Sequence, residues 1–152
     1  IRDAQESRGL GDVYKRQVVE IGLFFTTLRM ADNKIITIPN GNLSAGNIIN
    51  YNVLPVRRLS TTVGIAYEAD TARAIELLTA LIKSRKPLVN PEKALVYVKE
   101  LGDSSVVLGL HYWVKTADYW DEAWSINQAI KDVLDQNGIA IPFNQLDVHV
   151  IQ

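Results

Sequence analysis

The sequence predicts an α+β fold: a small all-β unit, followed by a unit with the element order β-α-β-β-α-β. Segments rich in β-branched and aromatic residues recur along the chain, and two stretches after Asp70 carry apolar residues at helical spacing. Hydrophobic residues make up 47% of the 152 residues, and the formal net charge is −1. This composition is typical of a globular chain that buries a core.

The all-β unit is predicted from a hairpin. Residues 18–28 are dominated by Val, Ile, Phe and Thr, and the turn residues 31–34 separate them from a second strand at residues 34–38. Pro39, Asn40 and Gly41 then end that strand as a turn. Two further extended segments are predicted on either side of the break at Leu54-Pro55, at residues 47–51 and 57–67.

The α+β unit begins near Leu59 and contains two amphipathic helices. Asp70 and Asp118 are the predicted N-caps, because a carboxylate accepts hydrogen bonds from the free N–H groups of a first helical turn. Asn137-Gly138 ends the second helix, since glycine readily adopts positive φ. The apolar stripes are Ile75, Leu78 and Ile82 in the first helix, and Ala123, Ile126, Ile130, Val133 and Leu134 in the second.

Three more strands complete this unit. Residues 94–101 and 106–114 are joined by the turn residues 102–105, and the second of these strands alternates apolar and other residues as a half-buried strand does. A last alternating strand is predicted at residues 146–151, with Leu146, Val148 and Val150 on one side. The resulting order is the ferredoxin-like pattern.

The residue types exclude several kinds of site. There is no cysteine, so disulfides, thiolate metal sites and cysteine nucleophiles are excluded. His111 and His149 are far apart and have no ligand-like neighbours, so we predict no metal, no cofactor and no catalytic triad. A nucleic-acid binder usually shows a basic excess, which is absent here. No apolar run approaches the ~20 residues of a membrane-spanning helix.

The first seventeen residues, IRDAQESRGLGDVYKRQ, differ from the rest in composition and show no helical or strand periodicity. DVYKRQ (residues 12–17) resembles the translation of a transposase mosaic end used in sequencing libraries. SRGLG (residues 7–11) and IRD (residues 1–3) resemble the adapter and primer on its outer side. We therefore predict that residues 1–17 are not native, and that the coding sequence begins near Val18, inside a domain.

Residues 35–51, IITIPNGNLSAGNIINY, followed by PVRR at residues 55–58, resemble the signature of the small-conductance mechanosensitive channel (MscS-type) family. The upstream run VVEIGLFFTTLRMADNK and the downstream runs VGIAYEAD, ELGDSSVVL and GIAIPFNQLDVHV occur in the order and spacing of that family. The resemblance covers essentially everything from Val18 to Gln152.

This resemblance implies a domain organisation. Residues 18–58 correspond to a middle β domain with an Sm-like fold, truncated at its start. Residues 59–143 correspond to the α+β domain, and residues 144–152 to a final strand that joins its copies in a closed parallel barrel. That closure removes the exposed edge which such a strand has alone.

The resemblance also implies a function without catalysis. The family forms homoheptamers in the bacterial inner membrane, with this region on the cytoplasmic side as a hollow vestibule. Tension opens the pore on hypo-osmotic shock, and ions and small osmolytes leave. Rings of charge around the side openings bias what enters. No nucleic-acid partner is implied.

The candidate site residues are structural or subunit-contact positions. The motif Pro39, Asn40 and Gly41 needs a proline-fixed φ and residues that tolerate positive φ, and it is either an ordinary turn or one that also holds β domains together. Gly46 belongs to the same signature. The amides of Asn47 and Asn50 can bridge backbones, within or between subunits. The remaining candidates are Arg57, Arg58, Leu146, Val148 and Val150.

Other polar and aromatic residues have competing interpretations. For Arg57 and Arg58 we favour inter-domain salt bridges or a solvated face over a polyanion site. The acidic group Asp118, Asp121 and Glu122 is better explained by the helix dipole than by catalysis. For the aromatic group we favour core or subunit contacts over ligand stacking; its members are Trp113, Tyr119, Trp120 and Trp124. In a heptamer, the His149 side chains would form a ring near the symmetry axis, and we hypothesise that this ring makes assembly sensitive to pH.

Two other classes of function compete with the channel. A soluble nucleic-acid-binding or ligand-binding module is possible on Sm-like and ferredoxin-like folds, but the RNA-recognition aromatic motif is absent from residues 106–114. An enzyme is not supported by any phosphate loop, metal spacing or paired base and nucleophile. Because a fold alone carries no function, the channel prediction depends on the family resemblance.

Overall fold

The chain forms two compact units, Ile1–Pro55 and Val56–Gln152. The structure is a computed structural model that describes residues 3–8, 12–51 and 53–152. The predicted α+β class is confirmed, with an all-β unit followed by a unit of strands and two long helices. Within the described residues, no helix is both long enough and apolar enough to cross a bilayer.

The first unit is an antiparallel five-stranded sheet with the order β4-β3-β2-β1-β5. Its buried hydrophobic core, among the side chains described, consists of Leu28 and Ile38, with Thr26 beside them. The elements are β1 (Asp3–Arg8), β2 (Asp12–Ile21), β3 (Phe25–Met30), β4 (Ile35–Pro39), α1 (Asn40–Ser44) and β5 (Ile48–Ile49).

The predicted hairpin is present as β3 and β4, but its first strand is shorter than expected. The single strand predicted at residues 18–28 is interrupted at residues 22–24, where the Gly22 N–H donates to the Phe25 carbonyl at 2.8 Å and closes a turn between β2 and β3. Asn33, with φ of 69°, makes the turn between β3 and β4. A continuous β-rich run does not reveal such a turn, because the strands before and after it have the same composition.

Residues 1–17 contain strand where the sequence pattern predicted none. β1 pairs with β2 from Asp3 opposite Gln17 to Arg8 opposite Asp12. Ladder hydrogen bonds join backbone groups, so they do not require side-chain alternation. Residues 1–2 and 9–11 of this segment lie outside the described residues. The adapter origin of the segment stays a prediction.

The second unit has β9 at the centre of its antiparallel sheet, with β6 along one edge and both β7 and β8 along the other. β6 and β8 are therefore parallel, with β9 between them. The elements are β6 (Val56–Ile65), α2 (Thr71–Lys83), β7 (Leu88–Val89), β8 (Leu95–Leu101), β9 (Val106–Lys115) and α3 (Tyr119–Gln136), with short 3-10 turns at Pro91–Lys93 and Thr116–Asp118.

One face of this sheet is buried under α2 and α3. The helix residues Leu78, Ile82 and Ile126 are fully buried in one cluster with the inward residues of the strands. The alternation predicted for the strand after residue 105 is confirmed, because every second side chain of β9 belongs to this cluster. Those β9 residues are Val106, Leu108, Leu110, Tyr112 and Val114.

The helix boundaries follow the predicted chemistry in two of three places. The Asp70 carboxylate accepts a hydrogen bond from the Arg73 N–H at 3.1 Å, as an N-cap does. Gly138 has φ of +69° just after α3. Asp118 precedes α3 but makes no side-chain capping bond, because its backbone already has helical φ and ψ.

The strand predicted at residues 146–151 is absent from the single chain. Leu146, Val148 and Val150 are 84%, 70% and 81% exposed, and residues 139–152 form no helix or strand. A strand needs a hydrogen-bonding neighbour, and among the described residues none pairs with this segment. The alternating pattern alone was therefore not enough to predict a strand within one chain.

Candidate functional site

Asn40 is the centre of a hydrogen-bond network in the first unit. Its Nδ2 donates to the carbonyl oxygens of Gly22 at 3.0 Å and Leu23 at 3.2 Å, and its backbone N–H donates to the Phe24 carbonyl at 2.8 Å. Its Oδ1 accepts from the Thr26 hydroxyl at 2.5 Å. Asn40 thus connects the start of α1 to the turn between β2 and β3, within one chain.

This network presents an apolar turn to the surroundings. Leu23 and Phe24 are 84% and 71% exposed, although both are large hydrophobic residues. The three turn carbonyls at residues 22–24 all accept from Asn40, so the backbone of the turn is held while its side chains project outward. Such a fixed apolar projection is typical of a contact surface.

The motif itself differs from the turn that the sequence predicted. Pro39 precedes α1 with φ of −56°, and Asn40 and Gly41 lie in the helix, so neither adopts positive φ. A Cβ added at Gly41 would meet nothing within 4 Å. The proline-fixed φ was expected correctly, but the positive φ was not, because α1 continues the chain where a reverse turn was predicted.

The remaining candidates of the first unit lie beyond α1, at and around the short strand β5. Gly46 and Asn47 are exposed, and among the described residues the Asn47 amide makes no hydrogen bond. Asn50 is half-buried at the end of the strand β5. Asn40 has a bridging role within one chain.

Arg57 packs on aromatic rings inside the second unit. Its guanidinium carbon lies 3.5 Å from the centre of the Tyr119 ring and 5.9 Å from that of Trp120. Trp120 and Trp124 have ring centres 6.0 Å apart, and they are 42% and 68% exposed. Trp120 and Trp124 therefore form a surface patch, whereas Tyr119 packs against the core cluster of the second unit.

Glu122 is a buried carboxylate that the sequence analysis assigned to the helix dipole. It is 2% exposed, and it accepts from Arg85 through Nε at 2.8 Å and Nη2 at 3.2 Å and from the Tyr112 hydroxyl at 2.8 Å. The hydrogen bond to Glu122 raises the pKa of Arg85, and burial raises the pKa of Tyr112 above its usual range. The spacing carried a signal: Glu122 stands four residues before Ile126 on the buried stripe of α3.

This ion pair lies in a cavity of about 510 Å³ between the end of α2 and the start of α3. Arg85 also donates to the Ser125 hydroxyl at 2.7 Å, so the guanidinium is held on two sides. The cavity is lined by Ser84, Arg85, Lys86, Pro87, Asp118, Asp121, Glu122 and Ser125.

The sheet face opposite the helices carries His111 and Trp113. The Tyr97 hydroxyl lies 3.0 Å from His111 Nε2, and their rings meet edge to face at 5.1 Å. Burial, followed by the charges of Arg58 and Lys99, lowers the pKa of His111. His149 is elsewhere, on the exposed segment after α3, so the two histidines form no common site.

The described residues contain no cluster of three or more acidic, histidine or cysteine side chains able to hold a metal ion. Their most prominent functional features are exposed apolar surfaces on an all-β unit and on an α+β unit. The fold and these surfaces indicate a class of protein in which a β domain and an α+β domain provide surfaces for contact with other chains.

Family models match both parts of this scaffold. The model described as "Mechanosensitive ion channel, beta-domain" matches residues 14–53, and the one described as "Mechanosensitive ion channel MscS, C-terminal" matches residues 59–141. The chain belongs to the MscS family of mechanosensitive ion channels, as its signature residues predicted.

Curated relatives and solved structures agree with this assignment. A small-conductance mechanosensitive channel of Edwardsiella ictaluri is 38% identical over 135 residues, which are 89% of this chain and 47% of the relative. The closed-state crystal structure of Helicobacter pylori MscS superposes with a TM-score of 0.88 at 26% identity, covering 99% of this chain and 58% of that chain. Arabidopsis thaliana MSL1, at 14% identity and a TM-score of 0.71, shares the fold, with 93% of this chain and 52% of that chain covered. The chain spans about half the length of the curated relatives it matches.

Proposed function

We propose that this chain is the cytoplasmic vestibule part of a tension-gated channel that releases ions and small osmolytes on hypo-osmotic shock. The observation that carries the proposal is the match of both units, in order, to the β and C-terminal domains of one channel family. In this proposal the chain assembles as a homoheptamer on the cytoplasmic side of the bacterial inner membrane, and membrane helices precede Val18.

The exposed apolar surface supports an assembled state. Large hydrophobic side chains remain exposed in both units, whereas monomeric proteins rarely expose extensive contiguous apolar patches. In a ring, the segment after α3 gains a neighbouring strand from each adjacent copy, which provides the partners that the single chain lacks. The exposed residues of that segment are Phe143, Leu146, Val148, Val150 and Ile151.

The channel function is tested by a chimaera. Residues 18–152 replace the matching region of the Edwardsiella ictaluri channel, and the chimaera is expressed in cells that lack their own mechanosensitive channels. We expect survival of hypo-osmotic shock and tension-activated currents in membrane patches. A chimaera that assembles in the membrane but shows neither would contradict the proposal.

Assembly is tested separately with a matched pair of variants. Val148→Asp places a charge where the proposed strands meet, whereas Asp147→Asn changes the neighbouring residue on the opposite side of the strand pattern. We expect native mass spectrometry of the chimaera to show loss of the heptamer for Val148→Asp only. Equal oligomer distributions for the two variants would exclude the strand-mediated ring.

The origin of residues 1–17 needs an independent DNA read across the codon for Val18. We propose that the read shows a membrane helix running directly into the β domain without these residues. A genomic sequence that encodes all of residues 1–17 after a start codon would contradict the adapter origin, and it would favour a soluble binding module.

A further inference from the structure

The sheet face of the second unit that the helices leave uncovered has an unusual composition. One strand of this face, β9, presents Gly109, His111 and Trp113 in sequence, while Tyr97 extends from β8 and Arg58 from β6. None of these residues belongs to the core cluster under α2 and α3. The proposed channel function assigns no role to Tyr97, Gly109 or His111.

Gly109 allows one aromatic ring to lie against the sheet. A Cβ at Gly109 would stand 2.6 Å from Tyr97 Cζ and 2.8 Å from its hydroxyl, which is closer than atoms approach. The Tyr97 ring therefore lies across the Gly109 backbone, and the 3.0 Å contact with His111 holds its far end. One face of the ring is therefore covered by the strand, and Tyr97 as a whole is half-buried.

Cations border this row of rings. Arg58 is directly opposite Trp113 in the strand register, and Lys93 Nζ is 5.8 Å from the centre of the Trp113 ring on the other side. Arg58 and Lys99 are close enough to His111 to act on its charge. Arg58, Lys93 and Lys99 are all exposed, and among the described residues none of them forms a salt bridge.

The surface thus combines flat rings with positive charge. A flat ring offers a stacking surface to any planar heteroaromatic group, and an exposed guanidinium or ammonium binds phosphate oxygens. His111 and Trp113 are two residues apart on one strand, so their Cα atoms are about 7 Å apart. A ligand that presents a planar base and a phosphate therefore engages the rings and the cations together.

We propose that this sheet face binds a nucleoside monophosphate, with the base against the aromatic side chains of Tyr97, His111 and Trp113 and the phosphate between Arg58 and Lys93, the two cations that flank Trp113. A single nucleotide is favoured over a nucleic acid, because the net charge of the chain is −1 and Glu100 stands at the end of the face, opposite Val107. A polyanion would meet that carboxylate, whereas one phosphate near Trp113 does not.

The experiment titrates the 152-residue chain with AMP, and separately with adenosine, inorganic phosphate and an adenine oligoribonucleotide. NMR follows the Trp113 indole N–H and the imidazole protons of His111. We expect AMP to shift these signals saturably, and adenosine and phosphate to bind at least about tenfold more weakly, which corresponds to ~1.4 kcal/mol for each missing part.

Charge-removal variants identify the site. Arg58→Gln and Lys93→Gln should each weaken AMP binding about tenfold. Lys83, also an exposed lysine, lies on α2 and so on the opposite side of the sheet, and Lys83→Gln should bind AMP as the unaltered chain does. These are surface substitutions, and retention of the far-UV circular dichroism spectrum shows that the variants are folded.

Four outcomes would overturn the proposal. The first is that the NMR signals do not saturate up to about 10 mM AMP, and the second is that inorganic phosphate alone binds as tightly as AMP. The third is that the variants Arg58→Gln, Lys93→Gln and Lys83→Gln all bind AMP with the same affinity. The fourth is that the oligoribonucleotide binds far more tightly than AMP. The test involves no membrane and no assembly, so its failure leaves the channel proposal unaffected.

Discussion

Replacing Asn40 by alanine should loosen the turn between β2 and β3. The substitution removes two side-chain hydrogen bonds to the carbonyls of Gly22 and Leu23, and one from the Thr26 hydroxyl. The backbone N–H of residue 40 can still donate to Phe24. The effect is therefore confined to the side chain, and α1 itself has no reason to unfold.

The magnitude follows from the burial of each partner. The two carbonyl bonds are exposed, so water replaces them at a cost of about 0.5–1 kcal/mol each. Thr26 is 6% exposed, and leaving its hydroxyl without a partner costs about 1–3 kcal/mol. Together we expect a loss of about 2–5 kcal/mol in the local free energy of opening.

The assay is hydrogen–deuterium exchange measured by mass spectrometry. Peptides covering residues 19–30 and 36–45 should exchange at least about 30-fold faster in Asn40→Ala, since ~2 kcal/mol corresponds to that factor when local opening limits exchange. Tryptophan fluorescence is an internal control, because all three tryptophans lie in the second unit. Its urea midpoint should not change.

Asn42→Ala is the matched control. Asn42 is an exposed asparagine of the same helix with no side-chain hydrogen bond among the described residues, so its loss should cost less than ~0.5 kcal/mol. If the two variants exchange at the same rate, the network does not hold the turn. A double-mutant cycle with Thr26→Val should give a coupling energy of about 1 kcal/mol, because these two side chains are in direct contact.

Two further predictions concern the second unit. Glu122→Ala should lower the free energy of unfolding by about 2–4 kcal/mol, because it leaves Arg85 and Tyr112 without their shared carboxylate. The control Asp121→Ala, at an exposed neighbouring carboxylate, should change it by less than ~0.5 kcal/mol. Urea unfolding followed by tryptophan fluorescence measures both variants, and equal effects would contradict the buried pair. The pKa of His111 is lowered in the folded chain. As the pH falls from 7.5 to 5.5, the unfolded chain therefore binds a proton at His111 before the folded chain does, and the free energy of unfolding decreases. His111→Gln should reduce this decrease, and parallel profiles of unfolding free energy against pH for the two chains would refute the assignment.

Much of the fold could be predicted from the sequence, because the signals were local. The Asp70 cap, the stripe of α2 and the alternation along β9 each depend on residues that are neighbours along the chain. The α+β class followed from the order of these patterns. The family was also recognisable from a contiguous signature at residues 35–51, which the family models then confirmed.

The sites depended on contacts between residues that are distant in sequence. Asn40 meets partners 14 to 18 residues away, and Arg85 meets Glu122 across 37 residues. No periodicity specifies which carbonyl or carboxylate will be within reach after packing. The turn at residues 22–24 was missed because the strands on both sides of it have the same β-rich composition, and the Asn40 side chain that holds its carbonyls is 17 to 18 residues away.

The sequence by itself determined the α+β class, both long helices and the Asp70 cap, since these depend on backbone preferences and on the spacing of apolar side chains, and its signature at residues 35–51 indicated the family. Only the tertiary structure decided that Glu122 is buried on an ion pair, that Tyr97 lies across Gly109, and that residues 146–151 have no strand partner in one chain. Each of these depends on which surfaces meet, and a strand is completed only when a second backbone provides the hydrogen bonds.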